Sequence, residues 1–244
     1  MIRLGRICEL VRYPVKSMAG ISTESAQLGW HGLDGDRRFA FRRLGDISGF
    51  PWLSASRVPE LILYQPFDLE DLAGEPLPIR VRTPGGAEVE IQSAELLKEI
   101  AGRFGGPVEL MKLKHGMFDD APISVISLAT IAGIGRQAGV ELDRRRFRAN
   151  ILLESENSEP FHEDRWIGGR LVFGDSESGP AVSVTTRDLR CMMLNLDPDT
   201  ARQDARVLKT VVAQNGNNAG VYATVVHTGK IHVGQPVSLQ LQSH

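Results

Sequence analysis

Five short runs of alternating polar and apolar residues fill the first 83 positions: 2–11, 22–28, 39–43, 61–65 and 79–83. Gly29, Gly32, Gly35, Gly45 and Gly49 punctuate them. A period of two places successive side chains on opposite faces of a strand, whereas a helix needs a period near 3.6. The first part of the chain is therefore expected to be a small, mostly β domain spanning residues 1–83. Within it, residues 66–78 are acidic and proline-bearing and read as a surface loop or hairpin arm. Pro84-Gly85-Gly86 reads as a hairpin turn.

Residues 84–244 are expected to form a second unit, although composition barely shifts at the line between the two. Ser93 is placed to cap a helix over 94–104, which Gly105-Gly106-Pro107 ends. A second helix over 131–138 is stopped by Gly139. Residues 108–114, 147–153, 167–173, 181–185, 220–228 and 230–241 read as strands, and 205–212 as strand or helix. The expected fold class is α+β, rich in β.

The chain has 244 residues, 42% hydrophobic and 24% charged, which suits a packed soluble protein rather than a disordered one. A net charge of −2 provides no field to recruit nucleic acid. No apolar run reaches the roughly 18–20 residues that span a bilayer, and the first residues lack a signal-peptide core. A cytoplasmic location without membrane attachment is expected. Cys8 and Cys191 are the two cysteines, and no Cys-x-x-Cys pair occurs. That excludes a four-cysteine zinc site or a cysteine-held iron–sulfur cluster within this chain.

Distant stretches carry the candidate chemistry. In Tyr13-Pro14-Val15-Lys16-Ser17 the proline ends a strand. An ammonium, a hydroxyl and backbone N–H groups then stand at its exit, a set that suits a phosphate monoester. A plain surface lysine is the alternative. Arg37 can aim at the same phosphate or pair with Asp34 or Asp36. Arg146, Arg148 and Asn150 alternate, and on one strand they would share a face suited to an anion and the edge of a heterocycle. Glu163 and Asp164 read as an acid–base pair or as part of a solvated loop anchored by Trp166. Cys191, directly after Arg190, has three readings: a buried filler, a nucleophile activated by Arg190, or a soft metal thiolate. A nucleophile needs a base, and spacing places none of His115, His162 and His227.

In order and spacing these segments resemble the MOSC family, named for the C-terminal domain of molybdenum-cofactor sulfurase. They are most similar to its two-part branch, which includes the amidoxime-reducing components. The resemblance runs from Tyr13-Pro14-Val15-Lys16-Ser17 through Gly35-Asp36-Arg37, Ser54-Ala55-Ser56-Arg57 and Asp119-Asp120-Ala121-Pro122. It continues through Phe147-Arg148-Ala149-Asn150 and Arg190-Cys191 to Asp197-Pro198-Asp199-Thr200 and Gly229-Lys230-Ile231-His232-Val233-Gly234. It implies a small N-terminal β domain packed on a MOSC β-barrel domain with a few helices. It also implies a molybdenum–molybdopterin cofactor (Mo-MPT), with Cys191 as metal ligand and catalytic residue. Lys16, Ser17 and Arg37 would hold the pterin phosphate. Asp119, Ala121, Arg148 and Asn150 would line the pterin, and the backbone of Leu189 and Arg190 would border the metal.

The activity implied is that of an oxidoreductase for N-hydroxylated or N-oxide compounds, fed by a separate flavin or ferredoxin-type electron donor. The alternative is a cofactor or sulfur carrier without turnover of its own. The chain departs from the family pattern where relatives often carry Cys-x-Arg-Cys followed by two threonines: Asp188, Leu194 and Asn195 stand there. Ala149 stands where relatives carry proline. The changes beside Cys191 bear on the substrate more than on cofactor binding.

Overall fold

The computed structural model describes residues 1–72 and 74–241. The first part contains strands β1 (Ile2–Arg12), β2 (Ile21–Thr23), β3 (Ser25–Gly29), β4 (Gly32–Leu33), β5 (Phe39–Arg43), β6 (Gln65–Asp71), β7 (Pro76–Arg82) and β8 (Glu88–Glu90). Then come α1 (Ala94–Phe104), β9 (Val108–Lys112), β10 (Ile123–Ser127), α2 (Leu128–Ala138), β11 (Ile151–Ser155) and β12 (Arg170–Phe173). The last elements are β13 (Ala181–Leu189), α3 (Ala205–Asn215), β14 (Asn218–His227), β15 (Gly229–His232) and β16 (Pro236–Gln240).

Seven strands close into a barrel in the order β1, β11, β10, β14, β13, β12, β16 and back to β1. Closure leaves these strands without a free edge. The first strand is the closing stave: it pairs with β11 on one side and β16 on the other. Register shifts between Arg3 and Gly5 and between Ile7 and Glu9 reset its alternation, so Leu4, Ile7 and Leu10 all enter the barrel core. Gly5 permits the closure, because a Cβ there would meet the Glu154 carbonyl oxygen at 2.0 Å. No helix among the described residues is long and apolar enough to cross a membrane.

A second core gathers Phe39 and Phe41 from β5, Val81 from β7, Leu96 and Ile100 from α1, and Leu53, Leu61 and Tyr64 between them. The line between residues 83 and 84 falls inside the hairpin that joins β7 to β8, which pair with each other. A third cluster packs α2 and α3 on the outside of the barrel through Ile131, Ile134, Val207 and Val211. The caps of α1 match expectation. Ser93 Oγ accepts from Leu96 N, and Gly105 adopts the left-handed conformation at the other end. Helix α2 starts at Leu128, earlier than expected, because Ser127 Oγ caps it by accepting from Thr130 N.

Three expectations need correction. Residues 230–241 are not one strand: β15 ends at His232, Gly234 turns the chain at φ 82°, and β16 begins at Pro236. Residues 61–65 are not one strand: Pro59–Leu63 form a 3-10 turn, and β6 begins only at Gln65. Proline at the first turn position favours that start. Residues 147–153 are not one strand either. Arg144–Phe147 form a 3-10 turn, Arg148 is left-handed at φ 52°, and β11 begins at Ile151. Arg146, Arg148 and Asn150 therefore do not share a strand face. The segment 205–212, left open above, lies within helix α3.

Candidate functional site

A cavity of about 260 Å³ opens where the exit of β1, the entry to β5, the loop before β10 and the end of β13 converge. Lys16, Ser17, Arg37, Asp119, Arg148, Leu189, Arg190 and Cys191 all line it. Ala121 and Asn150 are not among its lining residues. Asn150 is buried and knits the wall instead. Its Oδ1 accepts from Ser124 N at 3.2 Å and from Arg37 Nη1 at 3.3 Å, and its Nδ2 donates to the Val11 carbonyl at 3.2 Å.

Three of the lining residues hold a backbone conformation that L residues seldom adopt: Ser17 at φ 68°, Arg37 at φ 49° and Arg148 at φ 52°. Each costs roughly 1–2 kcal/mol relative to an ordinary conformation. Neighbouring bonds hold them there. Arg37 N donates to the Tyr13 carbonyl at 2.7 Å, and Phe39 N to that of Pro14 at 3.0 Å. The buried Tyr13 ring then serves two cations: Arg148 lies 4.4 Å and Arg37 5.2 Å from its centroid. Burial pushes the Tyr13 hydroxyl up to about 12, so it stays neutral beneath them.

The site is rich in positive charge. Lys16 is buried, and burial pulls its pKa down while Asp119, 2.6 Å away, pushes it back up. Arg37 pairs with the buried Asp36, whose Oδ1 also accepts from Tyr13 N at 2.6 Å. Of the two readings of Arg37, the pairing is seen, with Asp36, and the side chain also lines the cavity. Burial, together with the charge of Arg37, lowers Arg148 to about 10. Its Nη1 donates to the Met18 carbonyl at 2.7 Å.

Cys191 is exposed and free, whereas Cys8, also free, is half-buried. The filler reading of Cys191 therefore fails. Arg190 does not turn its charge outward. Its guanidinium donates to the Ala219 carbonyl through Nε at 2.8 Å and Nη2 at 2.6 Å, and to the Phe147 carbonyl through Nη1 at 2.6 Å. Its charge is balanced by Asp188 at 2.9 Å. Arg190 is thus a clamp that fixes the chain entering Cys191. Asp188 also accepts from Ser124 Oγ at 2.7 Å. Burial raises its pKa, against the pull of Arg190, Ser124 and Tyr222.

Several lining residues had no role in the sequence reading. Tyr222, Ser124, Ser54, Ser56, Phe50 and Met193 reach the cavity from strands and loops far apart in the chain. Of these, Ser54 and Ser56 lay in a segment that carries the family resemblance, and so did Tyr222, in Gly220-Val221-Tyr222. The other acid–base candidates are structural. Glu163 is buried, accepting from Ser127 N at 2.6 Å and Thr130 Oγ1 at 2.7 Å, while Trp166 fills the barrel core. None of His115, His162 and His227 lines the cavity.

Residues 112–238 match the family model for the MOSC domain, and residues 4–103 match that for the MOSC N-terminal beta barrel domain. This chain belongs to the MOSC domain family. The MOSC family is associated with the molybdenum cofactor. The N-terminal match includes nearly all of β1, so this MOSC chain closes its barrel with a strand from the first matched part.

The MOSC chain is similar to mitochondrial amidoxime-reducing component 1 of Danio rerio, 27% identical over 128 residues that cover 49% of this chain and 37% of the relative. It is also similar to mitochondrial amidoxime reducing component 2 of Bos taurus, 25% identical over 137 residues, 51% of this chain and 38% of the relative. The match thus spans well under half the length of either relative. Among solved structures, the YUAD protein from Bacillus subtilis aligns over 98% of this chain and 97% of its own, with a TM-score of 0.53 and 14% identity. That likeness concerns the fold alone.

Proposed function

We propose that this MOSC chain binds molybdenum–molybdopterin in the cavity and reduces N-hydroxylated or N-oxide compounds, as the names of its amidoxime-reducing relatives imply. One observation carries the reading: a free, exposed thiol and five buried or half-buried cations, Lys16, Arg37, Arg146, Arg148 and Arg190, line a single cavity. The donor set fits the group. A phosphate suits the Lys16 ammonium, the Ser17 hydroxyl and the Arg37 fork, all buried or half-buried, where charge-assisted bonds are strong. A thiolate suits a soft, thiophilic metal.

In this reading Lys16, Ser17 and Arg37 hold the phosphate. Arg148 and Asp119 line the pterin, and Ala121 belongs to the loop that flanks it. Asn150 acts through Arg37, whose Nη1 it receives. The backbone of Leu189 and Arg190 borders the metal, with Arg190 clamped by Asp188 and two carbonyl groups. Cys191 is the protein's ligand. When bound, the cofactor supplies a metal centre that changes oxidation state by two electrons. The chain's own hydroxyls at Ser124 and Tyr222 hold protons at the cavity wall. Burial and Asp188 raise the pKa of the Tyr222 phenol, which keeps its proton at neutral pH. Electrons come from a separate flavin or ferredoxin-type protein, since two isolated cysteines cannot hold a cluster. A cytoplasmic setting, without nucleic acid or membrane as partner, belongs to the same reading.

The test is turnover of an N-hydroxylated amidine with reduced methyl viologen as donor, using protein from a molybdenum-replete host. The expected result is release of the amidine, abolished by Cys191→Ser. Bound cofactor without turnover would overturn the enzyme reading in favour of a carrier.

A further inference from the structure

A second cavity, of about 350 Å³, backs onto the first. Arg146, Arg148 and Met193 line both, so they form the partition between them. Much of the remaining wall is apolar, including Val11 from β1, Ile21 from β2, Phe67 from β6, and Leu196. Most of its charged groups already have partners. Glu9 lies 2.7 Å from Arg144, and Asp199 lies 2.7 Å from Arg145. Arg82 lies 2.8 Å from Glu88, and Arg146 lies 3.0 Å from Asp197.

Arg148 is different. It donates to a carbonyl group, and among the described residues no carboxylate lies within ion-pair distance of it. Burial, with the nearby charge of Arg37, lowers it to about 10. Its neighbour in the partition, Arg146, keeps a buried Nε with no partner among the described residues. A largely apolar wall with one guanidinium outside any ion pair selects for a particular ligand. A cation is repelled, and a neutral molecule leaves Arg148 unpaired. A strongly hydrated polyanion loses water against Val11, Phe67 and Leu196 without replacement.

We propose that this second cavity is a binding site for a small organic carboxylate with an apolar body, aromatic or branched aliphatic, whose carboxylate pairs with Arg148. The site shares Arg148 with the first cavity, where the same residue is proposed to line the pterin, while its walls beyond the partition lie outside that cavity, and acid binding is read without reference to the cofactor. It is tested by calorimetric titration of the full chain with benzoate, 4-isopropylbenzoate and 3-methylbutanoate, each beside its uncharged amide.

At least one acid should bind, and its amide about tenfold more weakly or worse, as loss of a charge-assisted bond dictates. Gln65→Trp, which puts a large ring on an exposed position of the wall, should abolish binding while the far-ultraviolet circular dichroism stays unchanged. No binding by any of the three acids overturns the proposal. So does equal affinity for acid and amide, a comparison that needs no variant. Undiminished binding in folded Gln65→Trp also overturns it, because the ligand would then sit elsewhere.

Discussion

Lys16 Nζ lies 2.6 Å from Asp119 Oδ1, joining the exit of the first strand to the loop that enters β10. The lysine side chain is 7% exposed and the aspartate 65%, so the cation is the partner held out of water. Burial sets the Lys16 pKa below its ordinary 10.5, and Asp119 is the largest influence raising it. Between the folded and unfolded values the folded chain binds fewer protons, so stability rises with pH through that window. Asp119→Asn removes the opposing charge and extends the window downward. Urea midpoints measured from pH 7 to 10 should rise more steeply with pH in Asp119→Asn than in the parent chain. A shallower slope would contradict the assignment.

The left-handed backbone at Ser17 yields a matched comparison. Ser17→Gly and Ser17→Ala both lose the hydroxyl, but only alanine keeps a Cβ at φ 68°. Glycine should be the more stable of the two by roughly 1 kcal/mol in urea denaturation, the reverse of their usual order in regular structure. Equal stabilities would mean that the site stores no such strain.

Gly220 sits at φ 80° behind the Arg190 clamp, where a Cβ would lie 2.6 Å from the Val125 carbonyl oxygen and 3.3 Å from Arg190 Nη2. The near atom is backbone of a barrel strand and cannot swing aside. Gly220→Ala should cost about 2 kcal/mol or more and loosen the chain leading to Cys191. Chemical denaturation checks the first effect. A loss below about 0.5 kcal/mol, the scale of a neutral surface change, would contradict the packing.

Asp188 provides a pH prediction of the opposite sign. Burial raises its pKa above the ordinary 3.8, so the folded state holds the proton longer than the unfolded one. Its contribution to stability therefore falls as pH rises through the interval above 3.8. The stability difference between the parent chain and Asp188→Asn should shrink from pH 4 toward pH 7. A difference that grows over that range would show that the pairing with Arg190 outweighs burial.

Elements with local signals were legible in the sequence. Helix α1 was marked at both ends by Ser93 and Gly105, and β5 by a run bounded by breaks. Lys16, Arg37, Arg148 and Cys191 were picked out by residue type and order, and they line one cavity. What was hidden depends on contacts far apart in the chain. Nothing near Ile2–Arg12 announces that its partners are β11 and β16. The left-handed turn at Arg148 has no glycine or asparagine to signal it, so alternation over 146–150 imitated a strand. The run Leu61-Ile62-Leu63-Tyr64 is apolar throughout, and such a short run fits a strand or a tight turn equally well. The inward commitment of Arg190 follows from carbonyl groups at Phe147 and Ala219, which adjacency to Cys191 could not reveal.

We propose that one exposed thiol and a set of cations enclose one molybdenum pterin. Elemental and pterin analysis of protein purified from a molybdenum-replete host tests it most directly. The parent chain should carry molybdenum and pterin together, and Cys191→Ser should lose the metal while keeping its thermal unfolding profile, since the side chain is exposed. A parent chain free of both, or a Cys191→Ser variant with undiminished molybdenum, would contradict the account.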